Sequence, residues 1–523
     1  MPDVPLRSGP GRWILLATVL GSGMALLDST VVNVALPSLA RDLDADMAGL
    51  QWTINAYTLT LAGFILLGGS LGDRFGRRRV FVIGVVWFAA ASVLCGLAAN
   101  IEMLIMSRAL QGIGGALLTP GSLAIIQSSF APDDRPRAVG AWSGLGGVAA
   151  AIGPFAGGWL VEAAGWRWVF LLNVPFAAVV VAVSLRHVPE SADPDAHGRF
   201  DVLGAALAAL GLAGTTYALT EAPGGTAAPP VIGTAAALGL AASAAFVLVE
   251  RVRGKGRRLP GARRGPEVPQ PMLPLGVFAS RQFSAVNVVT FLMYGGMGVM
   301  FFLLVLDLQV VGGFSPVAAG AALLPVTVLM LLLSARAGAL AQKIGPRLPM
   351  TAGLVVAAAG MLLVARIGRD ASYLRDVLPA VVVFGLGLSA TVAPLTATVL
   401  ATADARHAGL ASGVNNAVAR AAGLLAVAAI PPLAGLTGDA FANPEDFSSG
   451  FGVSMAACAV LLAAGAALTF FTIADDALRT PSGETVAPEC MRHCAVGAPQ
   501  LQPEPESVPS AETAGGRAPG TSP

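Results

Sequence analysis

Long unbroken apolar runs recur from one end of this chain to the other, and they leave few folds open. Runs such as 13–35, 80–99, 282–305 and 377–400 each exceed 18 residues. At 1.5 Å of rise per residue, such a run crosses the roughly 30 Å hydrocarbon layer of a bilayer as a helix. The sequence holds about 14 of them. Only 12% of the residues are charged, whereas a soluble chain of this length carries about twice that share. The expected fold is an all-α integral membrane protein. Glycines and prolines inside the runs fit that reading, because small residues let membrane helices approach and neighbouring helices support a proline bend. The first run follows Arg7 and Arg12 as a signal peptide would. It is too long for a signal core and lacks a clean cleavage site, so it is read as a retained span.

Lys and Arg orient the spans. With the N-terminus on the cytoplasmic side, Arg74, Arg77–Arg79, Arg135, Arg137, the basic loop 251–281, Lys343 and Arg347 all fall inside. Arg41, Arg167, Arg366, Arg369 and Arg375 fall outside. Both termini are thus expected in the cytoplasm, with loop 366–376 opposing the rule. The loop beginning Arg251-Val-Arg-Gly-Lys-Gly-Arg-Arg has no interleaved aromatics and sits just beyond a span. It reads as a contact for anionic lipid headgroups, not for nucleic acid. Cys490, His493 and Cys494 are metal-ligand types without zinc-site spacing, so no metal is expected. No Gly-Lys-Ser/Thr phosphate loop is present, which argues against ATP as the direct energy source.

The chain repeats itself. Gly69-Ser-Leu-Gly-Asp73-Arg74-Phe-Gly76-Arg77-Arg78 recurs in weaker form as Gly338-Ala-Leu-Ala-Gln342-Lys343-Ile-Gly345-Pro-Arg347. At the same offset, Gly140-Ala-Trp-Ser-Gly144 matches Gly409-Leu-Ala-Ser-Gly413. A recurring charged hinge between apolar helices marks a duplicated membrane bundle, and such bundles mostly move substrates across the membrane. The reading is two six-helix bundles related by a pseudo-two-fold repeat, residues 1–190 and 276–474. An inserted helix pair with its basic loop occupies 191–275, and 475–523 is a disordered cytoplasmic tail.

Four motifs carry chemistry. In 69–79, Gly76 permits a tight turn, and Asp73 can pair with a neighbouring Arg or cap a helix. Leu27-Asp28-Ser-Thr30-Val-Val-Asn33 places a carboxyl inside a span, where its ionised form costs about 2.5–3.5 kcal/mol on insertion scales, so Asp28 is the candidate proton carrier. Ser107-Arg108-Ala-Leu-Gln111-Gly112 puts Arg108 at about the depth of Asp28, close enough to face it. Gly153-Pro154-Phe-Ala-Gly157-Gly158 predicts a bend in the fifth span. In the second half, Asn416 and Arg420 lie on one span with no acid at matching depth. That cation either receives an anionic substrate group or bonds helix carbonyls.

These motifs resemble those of the major facilitator superfamily, and in particular its 14-span drug:proton antiporter family. The loop 69–79 is similar to that superfamily's G-x-L-a-D-r-x-G-r-[RK] signature, and Gly153–Gly158 is similar to its antiporter signature. The resemblance covers nearly the whole chain. It implies that Asp73, with Arg74, Gly76, Arg77 and Arg78, acts as a conformational latch, and that Asp28 with Arg108 couples protons. It implies that Asn33, Gln111, Asn416 and Arg420 are candidates for substrate contact. Asp307 stands where the family more often has an aromatic residue, so its role stays open. The expected function is proton-coupled efflux of an antibiotic or similar toxic organic molecule, with the proton gradient as energy source and no cofactor. A same-fold exporter of an amino acid or siderophore is the alternative. A polytopic membrane enzyme is disfavoured because no catalytic cluster of His, Asp, Glu or Cys appears.

Overall fold

The computed structural model describes residues 4–131, 134–192, 201–223, 227–254, 273, 275–402, 408–438 and 443–478. Most of the basic loop, Cys490, His493, Cys494 and nearly all of the expected tail lie outside the described residues. The first half comprises α1 (Gly9–Leu43), α2 (Met47–Phe75), α3 (Arg77–Gly96), α4 (Ile101–Ser129), α5 (Arg135–Ala164) and a short α6 (Arg167–Leu171) leading into α7 (Asn173–His187). Next come α8 (Val202–Glu221) and α9 (Pro229–Gly254). The second half comprises α10 (Arg281–Val310), a short α11 (Pro316–Ala321) leading into α12 (Leu324–Ile344), α13 (Arg347–Val364), α14 (Leu378–Ala401), α15 (Ala408–Leu433) and α16 (Pro444–Thr472). Among the described residues the only extended pairing is the single bridge between Val4 and Phe130.

Twelve of these helical segments are long and apolar enough to span a bilayer, and α2, bent by 49°, makes thirteen. The expected count of about 14 is not reached on length and composition; α5, 30 residues long, is the remaining long helix. It runs unbroken through Pro154.

Polar caps set many of the helix starts. Asp46 Oδ1 accepts from Gly49 N at 2.8 Å, and Asn100 Oδ1 accepts from Met103 N at 2.8 Å. Each takes up an amide that the first turn leaves unpaired. Asp44 closes α1 in the left-handed region, with φ 50°.

Successive helices run antiparallel, so one end of the bundle gathers the N-terminus, the 73–79 turn, Asp201, Arg253 and Arg347. This is the basic end. The turns at Asp44, Trp166, Ser315 and Gly438 form the far end. In the first half α1 packs along α5, α7 and α4, while α2 and α3 pack on α4. In the second, α10 packs on α15 and α16, and α14 on α12 and α13. The inserted helices α8 and α9 pack on each other, and α8 also touches α2 and α15. At the basic end Asp201 pairs with Arg253, and Glu250 Oε2 accepts from Leu273 N at 2.7 Å. Only 6% of the apolar window of α9 is buried in protein. An apolar helix so exposed is at home only in hydrocarbon.

One carboxyl in the second half stands apart. Asp307, near the far end of α10, is 0% exposed, and neither side-chain oxygen has a hydrogen-bond partner among the described residues. An unpaired buried charge costs several kcal/mol even after relaxation, roughly the stability of a small domain. Asp307→Asn, which keeps the shape and removes that charge, is therefore expected to unfold no earlier than the parent protein. The measurement is the thermal midpoint of purified protein; a drop of more than a few degrees reveals a partner for the carboxylate.

Candidate functional site

The first-half core holds a closed polar network at mid-bundle. Arg108 Nη1 donates to Asp28 Oδ2 at 2.5 Å and to Gln111 Oε1 at 2.6 Å. Arg108 Nε donates to the Thr53 carbonyl at 3.0 Å, and its guanidinium lies 4.4 Å from the centre of the Tyr57 ring. Asp28 Oδ1 accepts from Gln111 Nε2 at 2.8 Å and from Asn173 Nδ2 at 3.1 Å. Gln111 Nε2 also donates to Ser92 Oγ at 2.8 Å. Arg108 and Gln111 share a face of α4 because they are three residues apart. Asn173 arrives at the first position of α7, directly after the short α6. Asp28 is 0% and Arg108 1% exposed, so neither water nor lipid reaches the pair. A buried pair of this kind gives little net stability, but losing one partner costs about 3–5 kcal/mol. The expected facing of Asp28 and Arg108 is what the structure shows, whereas Gln111 lies inside this network and not in the cavity described next.

Between the halves lies a cavity of about 920 Å3. It extends from Phe302 and Leu323 near the far end to Gly144, Ser334 and Ala335 toward the basic end. Its walls are mostly apolar and aromatic. Ser29, Thr30 and Asn33 of α1, Asn55 and Thr58 of α2, and Tyr294 of α10 add polar groups. Among the described lining residues Arg420 of α15 is the only charged one. Arg420 Nε donates to Asn416 Oδ1 at 2.8 Å. Among the described residues no helix carbonyl and no carboxylate takes the rest of its guanidinium. Asn33 Oδ1 and both polar atoms of the Asn55 side chain are buried without a partner. Asn416 holds Arg420 and is not itself among the lining residues.

At the far end the two halves meet backbone to backbone. Gly158 of α5 lies so close to Pro316 of α11 that a Cβ there would overlap the Pro316 carbonyl oxygen. Gly320 of α11 bears the same relation to the Pro154 carbonyl. Gly153 and Gly157 face α1 at Thr30 and Val31. Gln309 Nε2 donates to the Val34 carbonyl at 3.1 Å, and Met47 N to the Gly438 carbonyl at 3.1 Å, both across the same end. Small residues at such contacts are what close helix approach in lipid requires.

The 69–79 turn is built around an acid that lies outside its motif. Arg77 Nε donates to Asp73 Oδ1 at 2.9 Å, which sets a cation against an acid at the C-terminal end of α2. Arg74 lies over Phe75, 5.8 Å from the ring centre. Glu190, just beyond α7, accepts from Arg78 N at 3.0 Å and lies 3.6 Å from Arg78 Nε. Gly76 joins α2 to α3 with φ 107°, and a Cβ there would sit 2.6 Å from Glu190 Oε1. Gly76→Ala is thus expected to cost about 1–3 kcal/mol, the usual penalty for a strained backbone position. It should also release Glu190, visible as a lowered thermal midpoint that Glu190→Ala partly masks.

Sequence reasoning missed Ser92, Asn173, Asn55 and Glu190. The first three are isolated polar residues within apolar runs, a pattern that marks buried function in a membrane. Glu190 carries no such mark.

Comparison with known proteins places this architecture. Residues 18–427 match the Major Facilitator Superfamily family model. The chain is 37% identical over 427 residues to the puromycin resistance protein pur8 of Streptomyces alboniger, covering 80% of this chain and 81% of that one. It is 34% identical over 444 residues to the tetracenomycin C resistance and export protein of Streptomyces glaucescens, covering 84% and 79%. In fold it is similar to a bacterial homologue of the human lysosomal transporter Spinster, solved in an inward-facing and occupied conformation. The TM-score there is 0.62 at 17% identity, over 89% of this chain and 97% of that one. With two helical halves around a central cavity, a family match over most of its length and relatives above 30% identity, the chain belongs to the Major Facilitator Superfamily.

Proposed function

We propose that this protein exports an antibiotic or similar toxic organic molecule across the cell membrane in exchange for protons, with Asp28 as the proton-carrying group. The observation that carries the reading is a sealed carboxylate–guanidinium pair one helix turn from a drug-sized cavity. Asp28 is buried in its network, while Ser29 and Thr30, its neighbours on α1, line the cavity. An ionisable residue at membrane depth is by default functional, and one beside a cavity has a route for proton exchange when the helices rearrange. Tyr57 completes the network: its ring carries the Arg108 guanidinium. The relatives named for puromycin resistance and tetracenomycin export support the substrate class.

With the basic end in the cytoplasm, the far-end contacts close the outer side. The structure is then the inward-facing member of an alternating pair, and both termini are cytoplasmic. The turn carrying Asp73, Arg77 and Glu190 acts as a latch on that side. No ATP, metal or organic cofactor takes part in this reading; the proton gradient supplies the energy. The test is a resistance screen in an efflux-deficient host against a broad antibiotic panel, followed by drug-stimulated proton flux in proteoliposomes. Resistance with gradient-dependent flux supports the proposal. Flux stimulated by amino acids or siderophores but by no antibiotic replaces it with metabolite export.

A further inference from the structure

The cavity's charge pattern says more about its ligand than the family does. Arg420 is the only charged residue among the described lining, and its Nε is held by Asn416, which fixes the guanidinium plane. No carboxylate among the described residues pairs with it. From the other half of the protein, Asn33 and Asn55 bring buried polar atoms without partners to the same cavity. Phe301, Phe302, Met297 and Leu331 make much of the remaining wall apolar.

A guanidinium fork oriented through one nitrogen presents the other two as paired donors, the geometry that takes an oxyanion with two parallel hydrogen bonds. The asparagine amides supply neutral donors and acceptors for the rest of a polar edge. A second negative charge finds no second cation and stays unpaired in an apolar cavity, which is costly. A bare cation on the ligand meets Arg420 as a like charge.

We infer that the cavity binds organic monoanions: bulky, largely apolar molecules with one carboxylate-like group, held by Arg420 and steadied by Asn33 and Asn55. This deepens the efflux reading above and rests on the same cavity.

The test compares binding of 9-anthracenecarboxylate with that of the isosteric, uncharged 9-anthracenecarboxamide. Both are titrated into full-length purified protein in lipid nanodiscs, and tryptophan quenching reads the dissociation constant. The parent protein is expected to bind the acid at least about tenfold more tightly than the amide, the scale of one charge-assisted hydrogen bond. Arg420→Gln is expected to lose that preference, acid and amide then binding with equal affinity, and a thermal midpoint within a few degrees of the parent protein's shows the variant folded. Arg420→Lys keeps the charge without the fork and should fall between the two. The inference is overturned by equal affinities in the parent protein, by no measurable acid binding, or by an acid preference that survives Arg420→Gln. Because binding here needs neither gradient nor export, failure of the efflux proposal leaves these outcomes readable. Likewise, equal binding of acid and amide leaves export untouched.

Discussion

Asp28→Asn is expected to bring gradient-driven efflux to background while the chain still inserts and folds. The amide oxygen can still accept from Arg108, and Arg108 keeps Thr53, Gln111 and the Tyr57 face. What the variant loses is the one carboxylate that, among the described residues, pairs with a guanidinium that is 1% exposed. Removing one partner of a buried pair costs about 3–5 kcal/mol. Arg108→Gln should cost a similar amount by leaving the carboxylate alone. The double variant Asp28→Asn with Arg108→Gln has no buried charge to strand, so its stability should recover most of the loss, a strongly non-additive cycle. Its transport should not recover, because the carboxyl proposed to take up the proton is gone. Thermal unfolding reads the first quantity and proton-driven flux in proteoliposomes the second. Flux restored in the double variant, or intact in Asp28→Asn, removes Asp28 from the coupling role.

Gly158→Leu is expected to hold the far end open. Gly158 and Gly320 let α5 and α11 meet backbone to backbone, and a leucine side chain has no room between them. Overpacking a well-fitted contact costs about 1–3 kcal/mol, and here the cost falls only on the conformation in which the contact exists. A bias of that size shifts the closed-to-open ratio by roughly 5- to 150-fold. Asn33→Cys, at the cavity wall, reports the shift when labelled with an impermeant thiol reagent from each side. Cys95 and Cys458 are buried and stay silent, and Cys490 and Cys494 are changed to Ser. Labelling from the far side should rise and export should fall together. Unchanged labelling with lost export makes Gly158 a site of general misfolding instead.

Much of this was legible in the residues. Apolar length located the helices, because bilayer thickness fixes how long a span must be. Matching depths along antiparallel spans brought Asp28 to Arg108, since helical rise converts residue counts into distance. What failed to show was lateral neighbourhood. Gln111 and Asn33 were both candidates for substrate contact, yet Gln111 turns into the sealed network and Asn33 into the cavity. Rotation of a helix about its own axis decides that, and packing on several neighbours sets the rotation. Asn173 of α7 donates to Asp28, and Ser92 of α3 accepts from Gln111 and Asn173 beside it, a meeting that no spacing in the chain encodes. Glu190 belongs to the 69–79 turn only because α7 ends beside it. Of the two open readings of Arg420, the structure bears on one: its Nε bonds the Asn416 side chain and not a helix carbonyl, while contact with an anionic substrate stays a proposal.

The inserted helix α8 makes the two flanks of the protein unequal. It lies against α2 and α15, covering the seam where those helices of opposite halves meet. The opposite seam, where α5 meets α12, receives no such cover from the inserted pair. A molecule dissolved in the lipid therefore meets the inserted hairpin over one seam and the bare α5–α12 contact at the other, so the two flanks offer it different surfaces.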